Sequence, residues 1–444
     1  MKRFVLLTIA VITSLTLRAQ MTAPTVNYGA YEKKVQKSDA DIQDPKKSEN
    51  PKTWISRGSL FQEIYELNNI KFLQKGADEK QIQLIFFNPQ KKETLQFPNG
   101  IVQEKLIYDG ITLIFENGKL VDWDETKTVT DKSLDKAFDA YAKAQELDKE
   151  NKFTKALKKN LEELKNQYLR DGSYMYDKGV RAEEAGESEK AKEYFQNSYH
   201  DFSMMLKINE TPAMGNVKDT AIMYYTGVAA RKAGRPDNAI VYFEQARALN
   251  YNEPLLYELL ANSYAETGQD DKAIEVLKEG FKRFRDNNRI VIALINNYLK
   301  KGDSQAALDY LAIAKQQDPN NKTFYFAEGT LYDKLGKVEE AKAAYQKALE
   351  IDPNYYDAIF NFGVLYYTQA KKLIDEAAFE KDPTESARKE EIALKELAKC
   401  VPYLEKALEI QPNDRNILET LQPIYYKLKM MDKYEKVKEQ LKNM

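Results

Sequence analysis

KTFYFAEGTLYDKLGKVEEAKAAYQKALEIDPNY, residues 322–355, decides the fold. Its two halves carry apolar residues at three- and four-residue spacing, so each reads as an amphipathic helix. Small residues at Gly329 and Ala341 let the two helix axes approach closely, and Tyr332 and Tyr345 fill the space between them. Gly336 reads as the end of the first helix, since glycine takes the left-handed cap without steric cost. Asp352-Pro353 reads as the stop of the second, because proline cannot continue a helix. The stretch is 34 residues long, and that period recurs: Gly227, Ala261, Ile295, Gly329 and Gly363 form one series, and Gly234, Gly268, Gly302 and Gly336 another. Ala239, Ala273, Ala307 and Ala341 follow the same spacing, as do Phe243, Leu277, Leu311 and Tyr345, and Ala246, Gly280, Ala314 and Ala348. Self-similarity at a fixed period of this length is the mark of a stacked helical array.

The pattern resembles the tetratricopeptide repeat family. Tyr325, Gly329, Tyr332, Gly336, Ala341, Tyr345, Ala348 and Pro353 stand at the family's signature positions, while Glu328 departs where a leucine is usual. The resemblance implies an all-α fold, an α-α superhelix of helix pairs. Residues 220–355 are expected to hold four regular units, with a degenerate unit and linker over 150–219 marked by Gly179, Ala182, Gly186, Ala191 and Phe195. A further unit opens at Ile359, Phe362, Gly363 and Tyr366 and resumes only at Cys400, Leu404, Ala407 and Pro412. Two lengthened helices with a turn at Asp382-Pro383 account for the excess, and residues 356–444 end in a capping repeat that becomes polar toward Met444.

Nearer the N-terminus, PKTWISRGSLF (residues 51–61) offers Trp54, Gly58 and Phe61 as another first helix. Its second helix reappears only at LDKAFDAYAKAQELD, where Ala137, Tyr141 and Ala144 match Ala341, Tyr345 and Ala348. About 67 residues are therefore inserted within the unit that spans 20–149. The insert, about 77–126, reads as strands: QIQLIFF, ETLQF, IVQEKLIY, ITLIFE and KLVDWD, punctuated by Asn99-Gly100, Asp109-Gly110 and Asn117-Gly118. Asn-Gly and Asp-Gly are hairpin dipeptides, so a small antiparallel β meander of four or five strands is expected over roughly 80–124.

Charged residues make up 31% of the 444 and the formal charge is −2, which favours neither nucleic acid nor an anionic membrane as partner. Met1-Lys2-Arg3, the apolar run Phe4–Leu17 and the small Ala19 have the layout of a secretory signal peptide over residues 1–19. An uncleaved anchor or a buried helix are the alternatives. The run is too short to span a bilayer, and no cysteine near the cut suggests a lipoprotein. The expected location is periplasmic, exported and either free or peripheral to the outer membrane. The resemblance is thus to an exported bacterial protein of the repeat family with a β-rich insertion in its first repeat.

Catalytic chemistry has few candidates. His200 is the only histidine and reads as a helix-surface or packing residue; Cys400 is the only cysteine and stands where other units place alanine, so a buried small residue is expected. No metal site of the His/Cys type has enough ligands, and VDWDETKTVTD (121–131) lacks the glycine bend and closing Glu of a calcium loop, so it reads as a solvated loop. No catalytic residue, metal or cofactor is expected.

Binding is what the family resemblance implies: the first helix of each unit lines a concave groove for protein or peptide segments. Carried over by motif spacing, that lining would be Tyr224, Val228, Arg231, Asn262, Ala265, Ile292, Asn296, Phe326, Thr330 and Phe360. The asparagines suit an extended peptide backbone, and Phe326 and Phe360 are read as water-facing anchors; taken singly, each reads first as a generic groove residue rather than a hot spot. Clamps for a terminal carboxylate place Lys four residues before Asn, whereas Glu258 precedes Asn262 and Ile292 precedes Asn296, which disfavours an acidic tail. The expected function is a non-catalytic scaffold of an envelope or secretion assembly, with no integral span after signal cleavage. The alternatives are a chaperone-like binder of exported polypeptides and, more remotely, an enzyme activity in the β insert.

Overall fold

The computed structural model describes residues 26–443 except Asn69, Pro98 and Asn99, so the signal-peptide reading of residues 1–19 lies outside the described residues. The chain divides after Gly234 into two compact units.

The first unit opens with α1 (Tyr28–Gln43), α2 (Pro45–Ser48) and α3 (Pro51–Tyr65). Each starts on a side-chain cap: Asn27 accepts from the Ala30 N–H, Asp44 from those of Lys46 and Lys47, and Asn50 from that of Lys52. These acceptors satisfy donors that a helix start leaves open. After α4 (Glu79–Ile82) come β1 (Lys91–Gln96), β2 (Val102–Tyr108), β3 (Ile111–Glu116) and β4 (Lys119–Glu125), then α5 (Ser133–Leu147), α6 (Thr154–Glu184), α7 (Ser188–Asn209) and α8 (Thr220–Lys232).

α3 and α5 form the helix pair that the sequence splits. A Cβ placed on Gly58 would lie 2.4 Å from Tyr141 Cε1, so the fully buried Tyr141 ring fits only because position 58 has no side chain. The same glycine-on-ring fit joins α6 to α7, where a Cβ on Gly179 would meet Phe195 at 2.6 Å. α6 runs for 31 residues, because Leu157, Leu161, Leu164 and Tyr168 continue one buried stripe N-terminal to the repeat motif.

The insert is a four-stranded antiparallel meander in the order β1-β2-β3-β4, with Leu106 opposite Leu113 and Leu113 opposite Trp123. Leu106, Leu113, Phe115 and Leu120 are fully enclosed on one face, with Ile70, Ile82 and Phe86 packed against them. QIQLIFF is not a fifth strand. Ile82 and Phe86, four apart, are buried while Leu84 between them is 64% exposed. That is a helical spacing, and the segment forms α4 and the turns after it. Nor is 121–131 wholly a loop, since residues 121–125 belong to β4.

The second unit begins with α9 (Pro236–Ala248) and continues as pairs: α10 (Pro254–Glu266) with α11 (Asp270–Arg283), α12 (Asn288–Lys301) with α13 (Ser304–Gln317), and α14 (Lys322–Lys334) with α15 (Val338–Ile351). The long hairpin of α16 (Tyr356–Phe379) and α17 (Pro383–Ile410) follows, then α18 (Arg415–Lys427) with α19 (Met431–Lys442). The turn of the long hairpin falls at Asp382-Pro383, with Asp382 capping α17. Gly302 shows how the first helices stop. It sits at φ +80° and its N–H donates to the Leu299 carbonyl, the left-handed ending that glycine permits. Glu328, the departure from the family pattern, has a structural reason: its Oε1 takes an ion pair at 2.5 Å from Lys315 of the preceding unit.

Ala307 is fully buried on α13, and Lys301 is exposed in an ion pair with Asp271. Ala307→Leu should therefore overpack the crossing and cost about 1–3 kcal/mol, whereas Lys301→Ala should leave the midpoint nearly unchanged. Urea midpoints compare the two, and equal shifts would contradict the packing described here.

Candidate functional site

Among the residues read as groove lining, Asn262 and Ala265 lie on α10, Ile292 and Asn296 on α12, Phe326 and Thr330 on α14, and Phe360 on α16. α10 touches α12, and α14 touches α16, so first helices of neighbouring units do lie side by side. Arg289 at the start of α12 reaches back to Glu258 of α10 through two hydrogen bonds, of 2.9 and 3.1 Å. That bidentate pair links the two helices at their surface. Asn296 is exposed and Asn262 half-buried, and neither amide is engaged by another described side chain.

The other lining residues are more occupied. Phe326 packs on Tyr345 and Tyr355, with ring centroids 6.0 and 5.5 Å away, and Phe360 stacks on Tyr356 at 6.1 Å. Both rings are half-buried among these tyrosines rather than standing free in water. The Thr330 hydroxyl donates to the Phe326 carbonyl of its own helix. Tyr224, Val228 and Arg231 sit on α8, in the first unit; Tyr224 is buried and meets Tyr225 edge-on, and the other two are half-buried.

The meander is held to the helices by specific chemistry. Trp123 lies flat on Tyr174 of α6, centroids 4.0 Å apart, and the Tyr174 hydroxyl donates to Asp122 at 2.7 Å. Arg181 donates to the Val121 carbonyl at 2.7 Å, and Lys178 lies 3.2 Å from Asp124. The insert is thus anchored along β4 to the first helix of the next pair.

A polar cluster gathers where α5, α6 and α7 meet. His200 Nε2 lies 2.8 Å from Asp135 Oδ1, which also accepts from the Tyr168 hydroxyl at 2.7 Å. Desolvation pulls the Asp135 carboxyl upward, but the bonds from His200 and Tyr168 outweigh it and leave it below the ordinary range. Asp171 is raised to about 6, chiefly by desolvation, with His200 and Arg170 opposing. Asp201, 5% exposed, is also raised, by desolvation and then by the charges of Asp171 and Asp135. Sequence reading found none of this, because the residues come from three helices and follow no motif.

The chemical inventory is otherwise sparse. Cys400 is fully buried, and burial pushes its thiol up to about 12, which removes it as a nucleophile. Among the described residues no group of three or more His, Cys, Asp or Glu is arranged to hold a metal ion, and no helix is long and apolar enough to cross a membrane.

Family models of the tetratricopeptide repeat match residues 230–296, 329–369 and 391–414. No curated protein matches the chain in sequence. Solved structures similar to it include a MamA protein, at 24% identity over 43% of this chain and 90% of that one, with a TM-score of 0.32. MamA from Desulfovibrio magneticus RS-1 is 18% identical over 42% and 96%, with a TM-score of 0.31. YrrB, described as a TPR protein with an unusual peptide-binding site, is 19% identical over 50% and 96%, with a TM-score of 0.32.

Proposed function

The chain is a tetratricopeptide-repeat protein, and from that premise we propose that it is a non-catalytic scaffold of an envelope or secretion assembly, holding a protein segment against the first helices of its second unit. Repeats of this family bind protein or peptide partners. The observation that carries the reading is the pair Asn262 and Asn296, one period apart on α10 and α12, with amides that no described side chain engages. An amide offers both a donor and an acceptor to an extended backbone. α10 and α12 are in direct contact and are linked further by the Glu258–Arg289 pair, so a bound segment would meet a preorganised surface. Ile292 and the half-buried Phe326 would supply apolar contact beside them. The envelope location rests on the signal-like residues 1–19.

Crosslinked capture from the periplasmic fraction tests both parts. The natural chain should recover one stoichiometric partner, and Asn262→Ala with Asn296→Ala should weaken capture roughly five- to hundredfold, from about 0.5–1.5 kcal/mol per lost amide bond. The melting temperature should not change. Undiminished capture by the folded double variant would remove this surface from the proposal. A bait found in the cytoplasm with Met1 intact would remove the envelope.

A further inference from the structure

The meander has two edges, and only one is covered. β4 is pinned to α6, with Arg181 on the Val121 carbonyl and Trp123 on Tyr174. β1 is the other edge, and no strand among the described residues pairs with its outer side. The Phe97 N–H donates to the Ile101 carbonyl at 2.9 Å, so Phe97 belongs to the ladder with β2. Alternation along an antiparallel pair places Leu95 and Glu93, opposite Gln103 and Lys105, in that ladder too. The N–H and C=O groups of Lys92, Thr94 and Gln96 therefore point outward, and no loop or helix backbone among the described residues bonds to them. All three residues are exposed. A row of open backbone groups like this is a template for one more strand.

The charges of β1 are already answered within the insert. Lys91 pairs with Glu93 at 2.6 Å, and Lys92 with Glu104 at 2.9 Å and Glu79 at 3.5 Å. What stays open beside the edge is apolar: Leu95 is 48% exposed and Phe97 43%. Because their backbone groups turn to β2, an added strand would meet them at non-hydrogen-bonded positions, where facing side chains come closest. A second copy of β1 does not fit there. Antiparallel registers centred on residue 92 or 93 set Lys92 or Glu93 against itself. Those centred on 94 or 95 set Glu93 against Leu95 or Phe97, and the one centred on 96 sets Thr94 against Pro98, a residue with no N–H. We propose that β1 is a docking edge for an extended, uncharged segment of a different protein. The segment adds antiparallel to β1 and lays apolar side chains, two residues apart, over Leu95 and Phe97. Backbone bonds hold it and the two apolar contacts select it, as in strand addition generally. The edge lies in the first unit and does not involve Asn262 or Asn296.

The probe is a fluorescein-labelled, end-blocked nine-residue peptide of alternating valine and threonine, with alternating lysine and threonine as the control. By fluorescence anisotropy the natural chain should bind the first saturably and not the second. Thr94→Pro removes an outward N–H while sparing the ladder with β2, and it should abolish binding. Leu95→Ser with Phe97→Ser should weaken binding about tenfold, from the loss of two cross-strand contacts. Asn262→Ala with Asn296→Ala should leave it unchanged. In the natural chain, exchange of the Thr94 and Gln96 amides should slow when the probe is bound, a readout that needs no substitution in the sheet. Absence of saturable binding, equal binding by the edge variants, unslowed exchange at those two amides, or loss of binding in the asparagine variant would each overturn the proposal. So would a dimer of the natural chain that Thr94→Pro dissolves, since the edge would then belong to a second copy.

Discussion

Gly58→Leu is expected to lower the stability of the first unit by about 3 kcal/mol, toward the upper end for an overpacked core. The Tyr141 ring would have to move, since a Cβ at position 58 meets three of its carbons within 2.7 Å. It has nowhere to go: the ring is fully buried and its hydroxyl donates to Gln62, which in turn donates to Gln167 at 2.8 Å. A second glycine supplies the control. On α1, a Cβ at Gly29 would meet only Asn27, at 3.8 Å. Gly29→Ala should therefore stabilise by about 0.5–1 kcal/mol, the usual gain for replacing glycine in a helix. Urea midpoints read both, and shifts of the same sign would show that α3 and α5 do not form the close pair.

The acidic junction predicts that the first unit loses stability as pH rises. Asp171 and Asp201 bind protons more tightly in the fold than an ordinary carboxyl near 3.8 would. Between about pH 4 and 6 the folded state therefore holds protons that the unfolded chain has released, and stability falls across that window, by about 3 kcal/mol for Asp171 alone. Asp201, raised for the same reason, adds to the decline. The groups facing the pair are Tyr65 of α3 and Glu66 just after it, Glu125 of β4, Asp135 of α5, Tyr168 and Arg170 of α6, and His200 of α7. Asp135 works the other way, but its contribution is lost only as pH falls below about 4. Asp171→Asn with Asp201→Asn should flatten the profile between pH 4 and 7. A double variant whose unfolding free energy still follows the natural pH profile would reject this assignment.

What could be read from sequence and what could not divide along one line. The repeat was legible because each unit solves the same packing problem with the same residues: Gly329 makes room for the Tyr345 ring, and Gly336 ends the helix between them. The split first unit was legible for the same reason, through Gly58 and Tyr141. Asn117-Gly118 marked a hairpin correctly, both residues taking positive φ. By contrast, QIQLIFF carries apolar residues at spacings of both two and four, and only the sheet it packs beneath decides between them. Motif spacing put Phe326 and Phe360 on α14 and α16, but it says nothing of Tyr345, Tyr355 and Tyr356, which take up the two phenylalanines. The junction of Asp135, Asp171 and Asp201 needs three helices in place before it exists.

Asn68 changes what the long insertion means for the folding chain. Closing a loop of about 67 residues between α3 and α5, rather than the three between α14 and α15, costs about 3 kcal/mol more in chain entropy. Asn68, 5% exposed, draws the two ends of the insertion together: its amide donates to Glu125 at 2.8 Å and to the Lys127 carbonyl at 3.2 Å, and its oxygen accepts from Tyr28 at 2.6 Å. Once the meander has folded with its ends clasped in this way, the first helix pair no longer has to search across a long flexible tether. Kinetically, the insertion would then behave as a tight turn, and the expected order of events in this unit is sheet first, helix pair after.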